Sequence, residues 1–215
     1  MIDIKSKRNC YLLTILTSIG IVLFGLLIWN FDFEILFFIK NHMRNDFLNI
    51  IVPFYTSLGD DGIIWIIMGL VLLIPKKTRK CGIMVLATLL VMLIVNNIIL
   101  KNLIARARPY STYPELVSDL VDIIHIPTSY SFPSGHTVSA MAVAFTVFSQ
   151  HKKFGVVTLI LAFLMGLSRL YVGVHFPTDV YGGIIVAFLI SISVVLAEKK
   201  LTPIITNKIA KTHSK

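Results

Sequence analysis

The chain has 215 residues, of which 56% are hydrophobic and only 14% charged, well below the roughly 25% charged share of an ordinary soluble domain. Together with a mean hydropathy of +0.83, this composition excludes a soluble globular class and points to a membrane protein. The net charge of +9 sits in short basic runs between apolar segments, a pattern of topology signals and not of a nucleic-acid face.

Residues 1–9 are polar and basic, and an apolar run follows over 11–29. At ~1.5 Å per residue such a run is long enough to cross the hydrocarbon, and no small-residue cleavage site follows it. It is expected to be an uncleaved first span ended by Trp29 as an interfacial anchor. Residues 30–61 are too interrupted by charge to span and too apolar for a free loop, so one or two interfacial helices are expected there. Gly59-Asp60-Asp61-Gly62 reads as a turn that launches the next helix. The apolar stretch 63–74 is short for a span unless the preceding residues join it. A basic loop over 75–80 leads to a third span at 82–100, where Asn96 and Asn97 are expected to bond between helices. Cys10 and Cys81 fall near cytoplasmic ends of spans, so no structural disulfide is expected.

Lys101 and Arg108 are seven residues apart, two helical turns, and so are expected on nearly one helix face. Pro109 is expected to end the helix at Arg108. Arg106 falls on another face and reads as a surface or lipid-headgroup contact. Residues 110–132 read as a loop with a short amphipathic turn in which Leu116, Leu120 and Ile124 share a side. Pro133-Ser134-Gly135-His136 then opens a helix over 137–148. Serine there is a natural N-cap, glycine admits a close ligand, and the free N–H groups of a helix start favour an anion. A basic turn at 151–153 precedes the fifth span, 154–167, which delivers Ser168 and Arg169. The sixth span runs over 180–196, with Gly182-Gly183 expected to allow close packing. His42 and His125 stand without partner spacing; His42 reads as a polar face residue, His125 as structural or exposed, and His151 as a solvated loop residue.

The segment 168–179 carries a cation (Arg169), an imidazole (His175) and a carboxylate (Asp179) in an apolar chain. Ionisable groups at membrane level are costly and mark function. Arginine can grip phosphate, an imidazole can attack, and a carboxylate can orient it. Fourteen of the twenty Lys and Arg residues fall on the side of the termini and of the 75–80 and 150–153 turns. The other side holds Lys40, Arg44, Lys101, Arg106, Arg108 and Arg169. The positive-inside rule therefore predicts cytoplasmic termini and reactive stretches on the extracytoplasmic face.

Lys-x6-Arg-Pro at 101–109, Pro-Ser-Gly-His at 133–136 and Ser-Arg-x5-His-x3-Asp at 168–179 resemble, intact and in order, the three signature blocks of the type 2 phosphatidic acid phosphatase family. The resemblance runs from the third span to the sixth and implies an all-α fold, a bundle of six transmembrane helices forming one membrane domain over 1–215, with short interfacial helices between spans 1 and 2 and in the span 3–4 loop. The spans exclude the soluble haloperoxidase-like branch. The resemblance implies a lipid phosphatase with Lys101, Arg108 and Arg169 clamping phosphate, and Ser134 and the Gly135 N–H completing the cradle. His175 would form a phosphohistidine, Asp179 would orient it, and His136 would protonate the leaving oxygen and later activate water. It implies no metal and no cofactor, a membrane lipid phosphate as partner, and a plasma-membrane location. Among bacterial members the similarity is to enzymes acting on undecaprenyl diphosphate, with phosphatidylglycerophosphate or phosphatidic acid as alternatives. A non-catalytic receptor or transporter for phosphorylated lipid is the contrasting class.

Overall fold

The computed structural model describes residues 4–120 and 122–213; the side chains of 4–13 and 205–213, Cys10 among them, lie outside the described residues. Among the described residues all regular structure is helical. The chain runs α1 (Ile4–Trp29), α2 (Asp32–Phe38) continued by a π-helical turn Ile39–Met43, α3 (Asp46–Ser57) and α4 (Ile63–Leu73). It goes on through α5 (Arg79–Met92), a π-helical segment Leu93–Leu100, α6 (Lys101–Ile104) and α7 (Pro109–Thr112). Helices α8 (Gly135–Gln150), α9 (Lys152–Tyr171) and α10 (Pro177–His213) complete it.

The stretches Arg79–Thr112, Lys152–Tyr171 and Pro177–Ile204 are long and apolar enough to cross a membrane. Two bent pairs meet the same test, Thr14–Trp29 with Asp32–Met43 (59°) and Asp46–Ser57 with Asp60–Leu73 (46°). Residues 46–57 thus join the short 63–74 segment across a break, the case in which that segment gains the length of a span. Helix α8, with 16 residues, is shorter than these.

Helix α8 forms the centre, packed on α9, α10, α5 and α4. Every residue from 137 to 144 is buried, as expected for a helix apolar all round. Gly155 of α9 lets that helix approach α8 closely, since a Cβ there would lie 2.2 Å from the Phe148 Cα. At mid-bundle the Thr146 hydroxyl bonds Thr88 (2.9 Å) and Ser191 (3.1 Å), joining α5, α8 and α10. Asn96 and Asn97 do not serve this purpose. The Asn96 Nδ2 donates to the adjacent Asn97 Oδ1 at 2.8 Å, and both amides lie beside Gly135 at the start of α8. The outward faces of α4, α5, α9 and α10 expose Ile67, Leu70, Ile83, Leu90, Phe163, Leu164, Phe188 and Leu189, a surface suited to lipid and not to water. At one end of the bundle Lys80 pairs with Glu198 at 2.8 Å, so the basic 75–80 loop and the far part of α10 share a side.

Candidate active site

The opposite end of the bundle gathers the start of α8, the end of α9 and the start of α10. Helix α9 closes in a complete Schellman motif: the Gly173 N–H donates to the Leu170 carbonyl (3.0 Å) and the Val174 N–H to that of Arg169 (3.3 Å). Gly173 adopts φ +77°, and a Cβ there would lie 2.4 Å from the Leu116 carbonyl oxygen. Gly173→Ala is therefore expected to cost at least about 1–2 kcal/mol from backbone strain alone, and more from the clash. A lower melting temperature in detergent, with turnover reduced in the same preparation, is the outcome that checks it.

This turn hands the chain to α10, where Pro177 takes the first helical position. The Asp179 Oδ2 accepts the Phe176 N–H at 2.8 Å, the return bond of a capping box. The same oxygen accepts the Ser131 hydroxyl at 2.5 Å and lies 3.4 Å from the His175 Nδ1. His175 is 2% exposed and Asp179 fully buried. The Arg108 Nη1 lies 3.1 Å from the His175 Nε2. Guanidinium has no acceptor, so Nε2 presents its lone pair and Nδ1 carries the proton toward Asp179. Burial, then the positive fields of Arg108, Arg169 and Lys101, hold His175 well below its ordinary pKa, so its imidazole is neutral.

The cations converge by a route that sequence spacing did not indicate. The helix expected to run on to Arg108 ends at Ile104, because Ala105 takes the left-handed conformation (φ 49°), and Arg108 is extended before Pro109. Lys101 and Arg108 therefore do not share a helix face. They meet instead on the 129–130 loop: the Lys101 Nζ donates to the Ser129 hydroxyl (3.1 Å) and Tyr130 carbonyl (3.0 Å), and the Arg108 Nε to the Ser129 carbonyl (2.6 Å). Arg169, 3% exposed, donates through Nη1 to the Thr56 hydroxyl at 2.6 Å. Its Nε is buried without a partner, an unsatisfied charged donor of the kind an anion would complete.

Ser134 occupies the N-cap position of α8, but its side chain makes no cap bond. Its hydroxyl accepts from Thr137 at 3.0 Å, and its N–H donates to the Asp179 carbonyl at 3.2 Å. The first amides of α8 are left without intrahelical acceptors, beside the cations. Gly182 and Gly183 bring α10 against this helix start: a Cβ on Gly183 would lie 3.1 Å from the Thr137 Cβ, and one on Gly182 2.5 Å from the Phe132 ring. The His136 Nε2 lies 3.0 Å from the Asp60 Oδ1. His42 is exposed, stacked on Phe38 at 4.8 Å, and His125 is exposed; neither is bonded to these residues.

Arg106 is not a surface or headgroup contact. Its Nη1 donates to Asp179 Oδ1 (2.6 Å) and the Thr178 hydroxyl (2.7 Å), and its Nη2 to Asp32 Oδ2 (2.6 Å). The guanidinium lies 3.9 Å from the Phe176 ring centroid and 4.3 Å from that of Trp29. Breaking the helix at Ala105 turns Arg106 inward. Asp32 also accepts the Thr178 N–H at 3.0 Å, satisfying an orphan donor of α10. Asp32, Thr56, Asp60, Arg106 and Ser131 are thus neighbours of the site that lie outside the three blocks or were assigned elsewhere. The signal available for Asp32 and Arg106 was charge in a mostly apolar chain.

The assembled features are those of a membrane-embedded lipid phosphatase, and the family model described as the PAP2 superfamily matches residues 81–203. The chain belongs to that superfamily, whose phosphatases are hydrolases of lipid phosphates. It is 31% identical over 152 residues (70% of this chain, 73% of the relative) to the bacitracin transport permease protein BcrC of Bacillus licheniformis. It is 32% identical over 156 residues (72% and 73%) to the undecaprenyl-diphosphatase of Sulfolobus acidocaldarius. The fold is similar to the crystal structure of a transmembrane PAP2-type phosphatidylglycerolphosphate phosphatase from Bacillus subtilis, with TM-score 0.61 and 27% identity over 85% of this chain and 96% of that one.

Proposed function

We propose that the protein hydrolyses a polyprenyl diphosphate of the undecaprenyl kind at the extracytoplasmic face of the plasma membrane, through a phosphohistidine on His175. The observation that carries the mechanism is the Arg108–His175–Asp179 arrangement, which leaves a neutral imidazole with its Nε2 lone pair among three cations. Lys101, Arg108 and Arg169 hold the phosphoryl oxygens, with the Ser134 hydroxyl and the Gly135 N–H completing the cradle. The His175 Nε2 attacks phosphorus as the bond to the leaving oxygen breaks, and His136 supplies the proton that oxygen needs. Asp179 holds the Nδ1 proton and balances the charge that develops on the ring. Water, giving a proton to His136, then attacks phosphorus, the P–N bond breaks, and phosphate leaves. The fixed cations supply charge stabilisation for this transfer, and turnover is expected to persist in EDTA.

The lipid preference rests on the relative named an undecaprenyl-diphosphatase. The similarity to a phosphatidylglycerolphosphate phosphatase supports the alternative, a glycerolipid phosphate. Phosphate release from undecaprenyl diphosphate, phosphatidylglycerophosphate and phosphatidic acid, compared in one detergent, separates the two, with the diphosphate expected to give the highest kcat/KM. A preference for either glycerolipid overturns the substrate assignment. The relative named a transport permease favours a second reading, binding without turnover, which predicts lipid retention and no phosphate release in that assay. The positive-inside count and the shared side of Lys80 and Glu198 support cytoplasmic termini.

A further inference from the structure

We infer that Asp60 is the positioning residue for the proton transfers at His136, so that the site holds two carboxylate–imidazole couples, Asp179–His175 and Asp60–His136. The inference rests on the acid–base role proposed for His136 and extends it to an element, the turn between α3 and α4, to which no chemistry has been assigned. The Asp60 Oδ1 lies 3.0 Å from the His136 Nε2. An ionised carboxylate only accepts, so Nε2 carries the proton and Nδ1 is the nitrogen left for the reacting oxygens. Packing agrees with that orientation: a Cβ on Gly59 would lie 2.7 Å from the His136 Cδ2, so the ring sets its Cδ2–Nε2 edge against the 59–60 backbone. The Asp60 side chain keeps 36% of its surface exposed, which lets its charge stay hydrated while it holds the ring. Thr56, just before the break, accepts from Arg169, so one interruption between helices fixes both a phosphate-site cation and the acid–base residue. The charged and titratable groups around the pair are Arg169 from α9, His175 from the α9–α10 turn and His125 from the long loop.

In the first transfer the N–P bond forms at His175 while the P–O bond breaks. The proton on the His136 Nδ1 moves to the departing oxygen, leaving a neutral ring whose Nε2–H still donates to Asp60. In the second, water gives its proton to Nδ1 as it attacks phosphorus and the P–N bond breaks. The carboxylate of Asp60 stabilises the imidazolium that starts the first step and ends the second.

The test uses leaving-group dependence in the full-length protein in detergent. Phenyl phosphate and p-nitrophenyl phosphate are alike in shape, but the nitrophenolate leaves readily without a proton. Asp60→Asn is expected to lose about 100-fold in kcat/KM on phenyl phosphate and less than about ten-fold on the nitrophenyl ester. His136→Gln should show the same selectivity more strongly, and Asp60→Glu should recover part of the loss. Equal losses of Asp60→Asn on both esters, or no loss on either, while His136→Gln stays selective, overturn the role of Asp60. A His136→Gln variant that folds and shows no leaving-group selectivity overturns the acid–base reading of His136 instead, and the inference with it.

Discussion

His175→Asn is expected to lower kcat by at least about 10³-fold, the scale of losing a covalent nucleophile, while the protein still elutes and melts as a folded species. Asparagine keeps a polar group near the Nδ1 position that faces Asp179 and Ser131, so the loss is assignable to the missing Nε2 and not to an orphaned carboxylate. Rapid acid-free quenching of the wild type with labelled substrate should trap a base-stable, acid-labile phosphoryl group, absent from His175→Asn. Turnover near the wild-type rate in a folded variant would exclude the mechanism. The same residue gives a signed pH prediction. Burial and the neighbouring cations depress the His175 pKa in the folded state, so below its unfolded value near 6.5 the unfolded chain binds the extra proton. Its contribution to stability is thus fully present above about pH 6.5 and is lost as pH falls below it. Melting temperature should fall on acidification from about 6.5 toward 5, and His175→Asn, which does not titrate, should flatten that slope.

The residues of the proposed site that lie within the three blocks could be picked out because residue type and local spacing carry their chemistry. His175 and Asp179 are four apart, and Asp179, by capping the Phe176 N–H in the first turn of α10, also faces the His175 Nδ1 at 3.4 Å. Gly182 and Gly183 were readable for the same reason, since a Cβ at either would crowd the Phe132 ring or Thr137. What escaped was set by tertiary contact. A helix continued through Ala105 turns Arg106 outward, and the left-handed Ala105 reverses it. Asp60 carried an ordinary turn signal, and its pairing with His136 spans 76 positions. Asp32 meets Thr178 across 146. Lys101 and Arg108 show the reverse case, in which residues without a shared helix face still converge: the two cations meet on Ser129 and Tyr130. Hydropathy likewise marked the stretches Arg79–Thr112, Lys152–Tyr171 and Pro177–Ile204, which are long and apolar enough to cross a membrane, but not the 59° and 46° bends that join residues 30–61 to their apolar neighbours.

Arg106→Met is expected to be the most damaging substitution outside the proposed phosphate cradle and catalytic residues. Methionine retains the apolar stem between Trp29 and Phe176 but removes the charge shared by Asp32 and Asp179, which are 3% and 0% exposed. Two carboxylates would then stay buried without their cation, a change that costs about 3–5 kcal/mol where one partner of a buried pair is lost. The effect on catalysis follows from the same bonds. An Asp179 that must find a proton, or draw the Ser131 hydroxyl further toward itself, no longer holds the His175 Nδ1–H, and kcat should fall about 10²–10³-fold beyond any loss of folded protein, less than the roughly 10⁴-fold seen when the orienting carboxylate of a catalytic histidine is itself replaced. Arg106→Lys should recover part of the stability but less of the rate, because a single ammonium lacks the planar fork that spans both acids. Asp32→Asn separates the two functions: Arg106 remains on Asp179, so kcat is expected within about ten-fold of wild type, while the melting temperature drops as the cap on the Thr178 N–H weakens. If Asp32→Asn lost as much rate as Arg106→Met, the network would act on catalysis by holding α2 against α10, and direct orientation of Asp179 by Arg106 would be wrong.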